Sequence, residues 1–445
     1  MKRDLTSGSV FQNIVCFSLP YLLSFFLQTL YGMADLFIIG QFNGVDSITS
    51  VSIGSQVMHM LTVMIVGLAM GSTVTIGKAV GAKDAKLASA AVGNTAVLFM
   101  GVSAAATAIL LIFVHAIVSV MSTPAEAVSG TVMYLTICFI GIPFITAYNI
   151  ISSIFRGLGD SRSPMYFIAI ACAANIALDY LFIGGLGLGP AGAALGTTLA
   201  QTLSVAVSLT VIVKKKMGLE LRKEHFRPQS EISGEILKIG IPVALQNGFI
   251  QIAFIVITVI ANRRGLNQAA AVGIVEKIIG ILFLVPSTML STVSALRAQN
   301  IGAGMHDRAA LTLRYALLIT VGFGAVAVFA MQFAAESVVG IFTGDTVVVL
   351  LGGQYLQGYI WDCIFAGMHF CFSGYFCAYG LSGLSFLHNS ISIVCARIPG
   401  AYLASKYYPH TLYPMGLAVS VGSLLSVLIC MAALIWMKRR RFRTT

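Results

Sequence analysis

Phe17–Leu23 reads FSLPYLL and Ile239–Leu245 reads IGIPVAL, two apolar strings whose prolines, Pro20 and Pro242, stand 222 positions apart. Two further pairs keep nearly that spacing. GKAVGAKDAKLA from Gly77 aligns with AQNIGAGMHDRAA from Ala298, setting Gly81 and Ala82 against Gly302 and Ala303, and ANIALDYLFI from Ala174 aligns with ARIPGAYLAS from Ala396. Chance similarity between apolar helices would not hold one offset across three separate segments. The chain therefore reads as an internal duplication, with each proline early in the first helix of its half.

Composition says what is duplicated. Of 445 residues 58% are hydrophobic and 10% charged, whereas a soluble domain is roughly a quarter charged. That excludes a soluble enzyme and makes lipid the main solvent. At ~20 apolar residues per span the length allows about twelve crossings. Apolar runs between polar or Gly/Pro breaks predict helices near 14–39, 49–71, 88–112, 131–155, 165–184, 190–213, 236–260, 270–292, 309–333, 354–379, 386–408 and 411–436. The fold class expected is an all-α membrane protein of twelve transmembrane helices. An even number of spans precedes the second half, so the two six-helix lobes are expected to be parallel repeats, related by a pseudo-twofold axis along the membrane normal. The lobes are placed at 1–213 and 236–445, the latter ending in a basic tail. The basic stretch 214–235, with KKK and RKEHFRP, is the linker.

The net charge of +11 must be sorted by membrane side before it implies a partner. With a cytoplasmic N-terminus, 22 of the 27 basic residues, Arg156 and Arg297 among them, fall on inside loops; Arg263, Arg264 and Lys406 fall outside, and Lys277 and Arg397 within spans. This positive-inside asymmetry places both termini in the cytoplasm of a multi-pass cell-membrane protein. The partner it implies is the lipid bilayer, with no nucleic acid. The eight cysteines lie in or beside apolar runs without CxxC spacing and read as small core residues. His59 and His369 are lone histidines in spans. The first apolar run is too long for a signal peptide. With no Walker A string and no nucleophile–base pair, neither direct use of ATP nor an enzyme is expected.

The paired prolines, GAKD at Gly81–Asp84 and above all FRGLGDSRSP at Phe155–Pro164, resemble the multidrug and toxic compound extrusion (MATE) family over essentially the whole chain. The RGxGDxxxP string at Arg156, Gly157, Gly159, Asp160 and Pro164 is the most specific part. The resemblance implies a two-lobed twelve-helix antiporter, working as a monomer. It would export amphipathic, often cationic, small molecules against inward Na⁺ or H⁺, with no cofactor beyond that ion. The alternative within the same superfamily fold is a flippase for a lipid-linked precursor. Such a flippase would carry a strongly cationic cavity, against only Lys277 and Arg397 here. A channel would not need a proline-bearing repeat with a one-sided acidic site.

Acids kept at membrane depth are functional candidates, since a charge at a helix centre costs roughly 2.5–3.5 kcal/mol on insertion scales. Asp35, Asp179 and Glu276 fall within predicted spans, and Asp362 near the outer start of the tenth. Counted from the helix ends, Asp35, Asp179 and Thr197 lie roughly 7–11 Å below the outer surface, and Asn175 is one turn deeper on the face of Asp179. Two carboxylates, an amide oxygen and a hydroxyl are hard ligands for a small cation such as Na⁺, or for a proton. The resemblance implies that Asp35, Asn175, Asp179 and Thr197 meet as the cation-coupling site. Pro20, about four turns inward of Asp35 on the same helix, removes a backbone hydrogen bond, and a bend is expected there. Some family members carry a seventh-helix glutamate, but here that helix offers the neutral Gln246, Asn247 and Gln251. In the second repeat Asn175 and Asp179 become Arg397 and Ala401. Glu276, Arg397, Asp362, Gln246 and Gln251 remain secondary cavity candidates, with the partner of Arg397 open between Asp362, Glu276 and backbone carbonyls.

Overall fold

The computed structural model of the protein describes residues 4–215 and 221–441. Twelve helical runs follow in order: α1 Val10–Phe42, α2 Val45–Gly81, α3 Ala85–Ile112, α4 in two pieces (Ala125–Ile140 and Ile142–Gly157), α5 Arg162–Gly185, α6 Gly189–Lys215, α7 Ser230–Asn262, α8 Leu266–Gly302, α9 His306–Gly340, α10 in two pieces (Thr346–Tyr359 and Asp362–Ala378), α11 from Ser382 to Tyr407, and α12 Tyr413–Arg441. Short helices Val114–Val120 and Lys223–Phe226 lie between them.

Nine of these, among the described residues, are long and apolar enough to cross a membrane, and the two pieces of α4, bent by 50°, make a tenth. The remaining two runs are interrupted, α10 at Ile360–Trp361 and α11 by the π-helical turn Ile393–Arg397. The sequence predicts continuous helices at all twelve places, because an apolar window is blind to local breaks. At α4 the cause is Gly141 followed by Pro143. Proline has no N–H to give the preceding turn and fits best in the first turn of a new helix, which is where it stands.

The described chain forms two compact units. The first is mainly Cys16–Gly240; the second comprises Thr6–Val15, Ile241–Ile301 and the chain from Met305 onward. The chain passes from the second unit to the first at Val15–Cys16 and back at Gly240–Ile241, in each case shortly before a helix-interior proline, Pro20 or Pro242. Ser24 Oγ donates to Pro20 O at 2.9 Å, one turn beyond the bond that the proline lacks.

Small residues set the packing of the first unit. Thr73 Oγ1 of α2 donates to Ser153 O of α4 at 3.0 Å, and a Cβ on Gly157 would sit 3.0 Å from Thr73 O. Lipid gives no hydrophobic drive for helices to associate, so this close backbone approach is what supplies packing and interhelical hydrogen bonds. The GAKD turn closes α2 and opens α3: Lys83 takes φ 57°, and Asp84 accepts from Leu87 N at 2.9 Å as the α3 cap. In the second copy Gly304 takes φ 74° and Met305 caps α9 without a side-chain bond.

Candidate functional site

α1, α5 and α6 bring the four predicted ligands together. Asp35 faces Asp179, Asn175 and Thr197, and all are buried except Thr197, which is half-buried. Thr197 Oγ1 donates to Asp35 Oδ2 at 3.1 Å, across 162 residues of sequence. Asp35 Oδ1, both carboxyl oxygens of Asp179 and both amide atoms of Asn175 are buried with no partner among the described residues. Two adjacent carboxyls have no proton to share once both are ionised, and a buried unpaired carboxylate is costly. Asn175 Nδ2 brings two N–H donors, but the carboxyl and amide oxygens still outnumber the donors, an imbalance that a proton, a cation or water would relieve.

Local sequence explains how Asp179 fits. Gly196 on α6 presents no side chain; a Cβ there would collide with Asp179 Oδ1. Directly after Asp179, residues Tyr180–Gly185 wind as a π-helix, a wider turn that recurs at functional positions. One turn deeper is a second polar layer that sequence reasoning missed. Tyr31 precedes Asp35 by four residues and Gln201 follows Thr197 by four, and Gln201 Nε2 donates to Tyr31 OH at 3.4 Å. The i,i+4 spacing on both helices was the available signal. Pro20 lies inside α1, as read from the sequence.

The secondary candidates separate. Arg397 Nη2 donates to Asp362 Oδ2 at 2.9 Å and to Ser423 Oγ at 3.0 Å, with Asp362 fully buried at the start of the second piece of α10. This settles the partner of Arg397, and it is not Glu276. Glu276 instead accepts from Thr258 Oγ1 at 3.1 and 3.0 Å on its two oxygens. Gln246 donates to Ser373 Oγ at 3.4 Å, within a buried chain in which His388 bridges Ser373 Oγ at 3.0 Å and Ser426 Oγ at 2.7 Å. Gln251, half-buried on α7, joins neither group. His369 is buried with its ring 5.6 Å from that of His388.

Two arginines counted as loop charges are corrected by the structure. Arg156 and Arg297 are 4% and 1% exposed, inside α4 and α8. Arg156 lies 4.8 Å over the Tyr21 ring; Arg297 lies 3.6 Å over Tyr375 and 5.2 Å over Tyr379. Aromatic faces hold the guanidinium groups, so neither reports topology as a solvated charge would.

The MatE family profile matches residues 20–181 and again 242–403, the same offset as the two prolines. A probable multidrug resistance protein of Bacillus subtilis, YpnP, is 28% identical over 418 residues, covering 94% of this chain and 93% of its own. An FAD transporter of Shewanella oneidensis is 24% identical over 437 residues, covering 96% and 95%. The solved outward-facing conformation of a multidrug resistance MATE family transporter of the MOP superfamily shares the fold at TM-score 0.90 and 21% identity, over 98% of this chain and 97% of that one. Two matched copies spanning most of the sequence leave one assignment: the chain is a multi-span membrane protein of the MatE family, the multidrug efflux transporters, and not an enzyme.

Proposed function

We propose that the protein is a secondary antiporter that exports amphipathic, often cationic, organic molecules in exchange for inward Na⁺ or H⁺, and that Asp35, Asn175, Asp179 and Thr197 hold the coupling ion. The observation that carries this reading is the acceptor excess between α1, α5 and α6: two facing carboxyls with three oxygens left unpartnered. Such a pair resists being doubly ionised in a dry interior, so a proton or Na⁺ stabilises it. If ion and drug favour different conformations, each lowers the other's affinity by the same factor. Alternating access then exchanges them, with lobes 1–213 and 236–445 rocking about the 214–235 linker and α1 bending at Pro20. Both termini face the cytoplasm of the cell membrane, and the unit works as a monomer.

The test is dye efflux from proteoliposomes under an imposed Na⁺ or pH gradient. Transport should follow one gradient and collapse when that gradient alone is dissipated. Asp35→Asn and Asp179→Asn should each abolish gradient-driven efflux while inserting normally. Wild-type rates in either variant would reject the site.

A further inference from the structure

The FRGLGDSRSP motif is not consumed by the proposed ion site. Gly159, at φ 84°, makes the turn before α5. Asp160 caps that helix, accepting from Arg162 N at 2.9 Å, Ser163 N at 3.1 Å and Ser163 Oγ at 2.7 Å. Arg156 and Pro164 do something else: with Tyr21, Tyr148, Asn149 and Ser152 they line a cavity between α1, α4 and α5. The centre of a water-sized sphere has about 20 Å³ to move in there, so the cavity admits at least one small occupant.

The chemistry of this cavity is the reverse of that at Asp35 and Asp179. Arg156 offers only donors. Its Nε and the hydroxyl of Ser152, 4% and 2% exposed as residues, are buried without partners among the described residues. No described acidic side chain pairs with Arg156, and the nearest acid in sequence, Asp160, is engaged in capping. The Tyr21 ring beneath the guanidinium stabilises the cation but does not cancel its charge. A buried cation with an unused donor, opening on a small cavity, calls for a negative ligand.

We propose that this cavity binds one monovalent anionic group, a halide or a carboxylate, held by Arg156 Nε–H and Ser152 Oγ–H against the Tyr21 ring. Tyr21 follows Pro20 directly, so the wall of the anion site belongs to the stretch of α1 that carries the proline. The inference stands apart from the ion site: it uses none of its residues, and its first test needs no transport.

The test compares the purified protein in sodium bromide and in sodium methanesulfonate, whose anion is neither a halide nor a carboxylate, at equal ionic strength. Bromide should raise Tm saturably, and crystals grown with bromide should show an anomalous peak beside Arg156 Nε. Arg156→Gln should remove the Tm effect, and Ser152→Ala and Arg156→Lys should weaken it, keeping the comparison open if the glutamine variant fails to fold. A second arm names the source. If bromide inhibits efflux of a carboxylate-bearing aromatic cation but not of its carboxamide analogue, the group bound is the substrate's carboxylate. Bromide stabilisation with equal efflux of both compounds assigns a free halide. An anomalous peak without any Tm effect, a halide effect unchanged in a folded Arg156→Gln, or no bromide response at all overturns the proposal.

Discussion

The two copies of the repeat differ most where the first is acidic. At a spacing of 222 positions, Asp35, Asn175 and Asp179 stand against Ile257, Arg397 and Ala401. Ile257 and Ala401 are wholly buried members of the apolar core of the second unit, so two of the three polar positions have become packing. The third has become a base, and Asp362, at the start of the second piece of α10, is its partner. Ser423 accepts from the same arginine. The first unit holds two facing acids with no basic partner among the described residues, and the second holds an acid paired with a base. Both arrangements sit in the same helical frame, so the asymmetry lies in the side chains.

The largest effect should come from removing an acid of the first copy. Asp179→Asn or Asp35→Asn should cut gradient-driven efflux to background. In the second copy, Arg397→Ala leaves Asp362 buried and uncompensated and should destabilise the protein by about 3–5 kcal/mol, read as a lowered midpoint in detergent-solubilised unfolding. Replacing both members, Arg397→Met with Asp362→Leu, should restore most of that loss and leave the ion dependence of efflux unchanged. A double variant that is folded yet uncoupled would show that the second copy also handles the ion, and would break the comparison.

A subtler probe is Gly196→Ala. Its Cβ would collide with Asp179 Oδ1, so the carboxyl must shift within a packed site, at a cost of about 1–3 kcal/mol. The ion concentration for half-maximal efflux should rise, while maximal rate at saturating ion changes less.

Much of this asymmetry was legible in the sequence, because a carboxylate at membrane depth is rare and a fixed offset exposes its loss in the other copy. Asp35 and Asp179 could be picked out in this way, and so could the twelve runs. What could not be read was proximity: Thr197 and Asp35 are 162 residues apart in the chain, and no local pattern encodes that contact. Arg397 could have met Asp362, Glu276 or backbone carbonyls until the fold placed Asp362 against it. Arg156 and Arg297 were misread because each lies near a helix end, where a basic residue usually reports membrane side; only the aromatic rings packed against them show that they face inward.

The smallest effect tests whether the copies are interchangeable away from the site. Lys83 and Gly304 occupy the same turn, with φ of 57° and 74°. A side chain in that left-handed region carries a cost of roughly 1–2 kcal/mol, which glycine avoids; glycine in turn gives up part of that advantage through the greater freedom of its unfolded chain. Lys83→Gly should therefore stabilise by up to about 1 kcal/mol, and Gly304→Ala should destabilise by a similar amount, both read as shifts in unfolding midpoint. The first copy also has the Asp84 cap, which the second lacks. Asp84→Ala should thus cost about 1 kcal/mol, whereas Met305→Asp should gain stability by supplying the missing cap. Equal and opposite shifts at these pairs, with efflux unaffected, would mean that the halves are one scaffold distinguished by their buried charges. A loss of coupling from a turn substitution so far along the chain from Asp35 would instead tie the ion site to the α2–α3 connection.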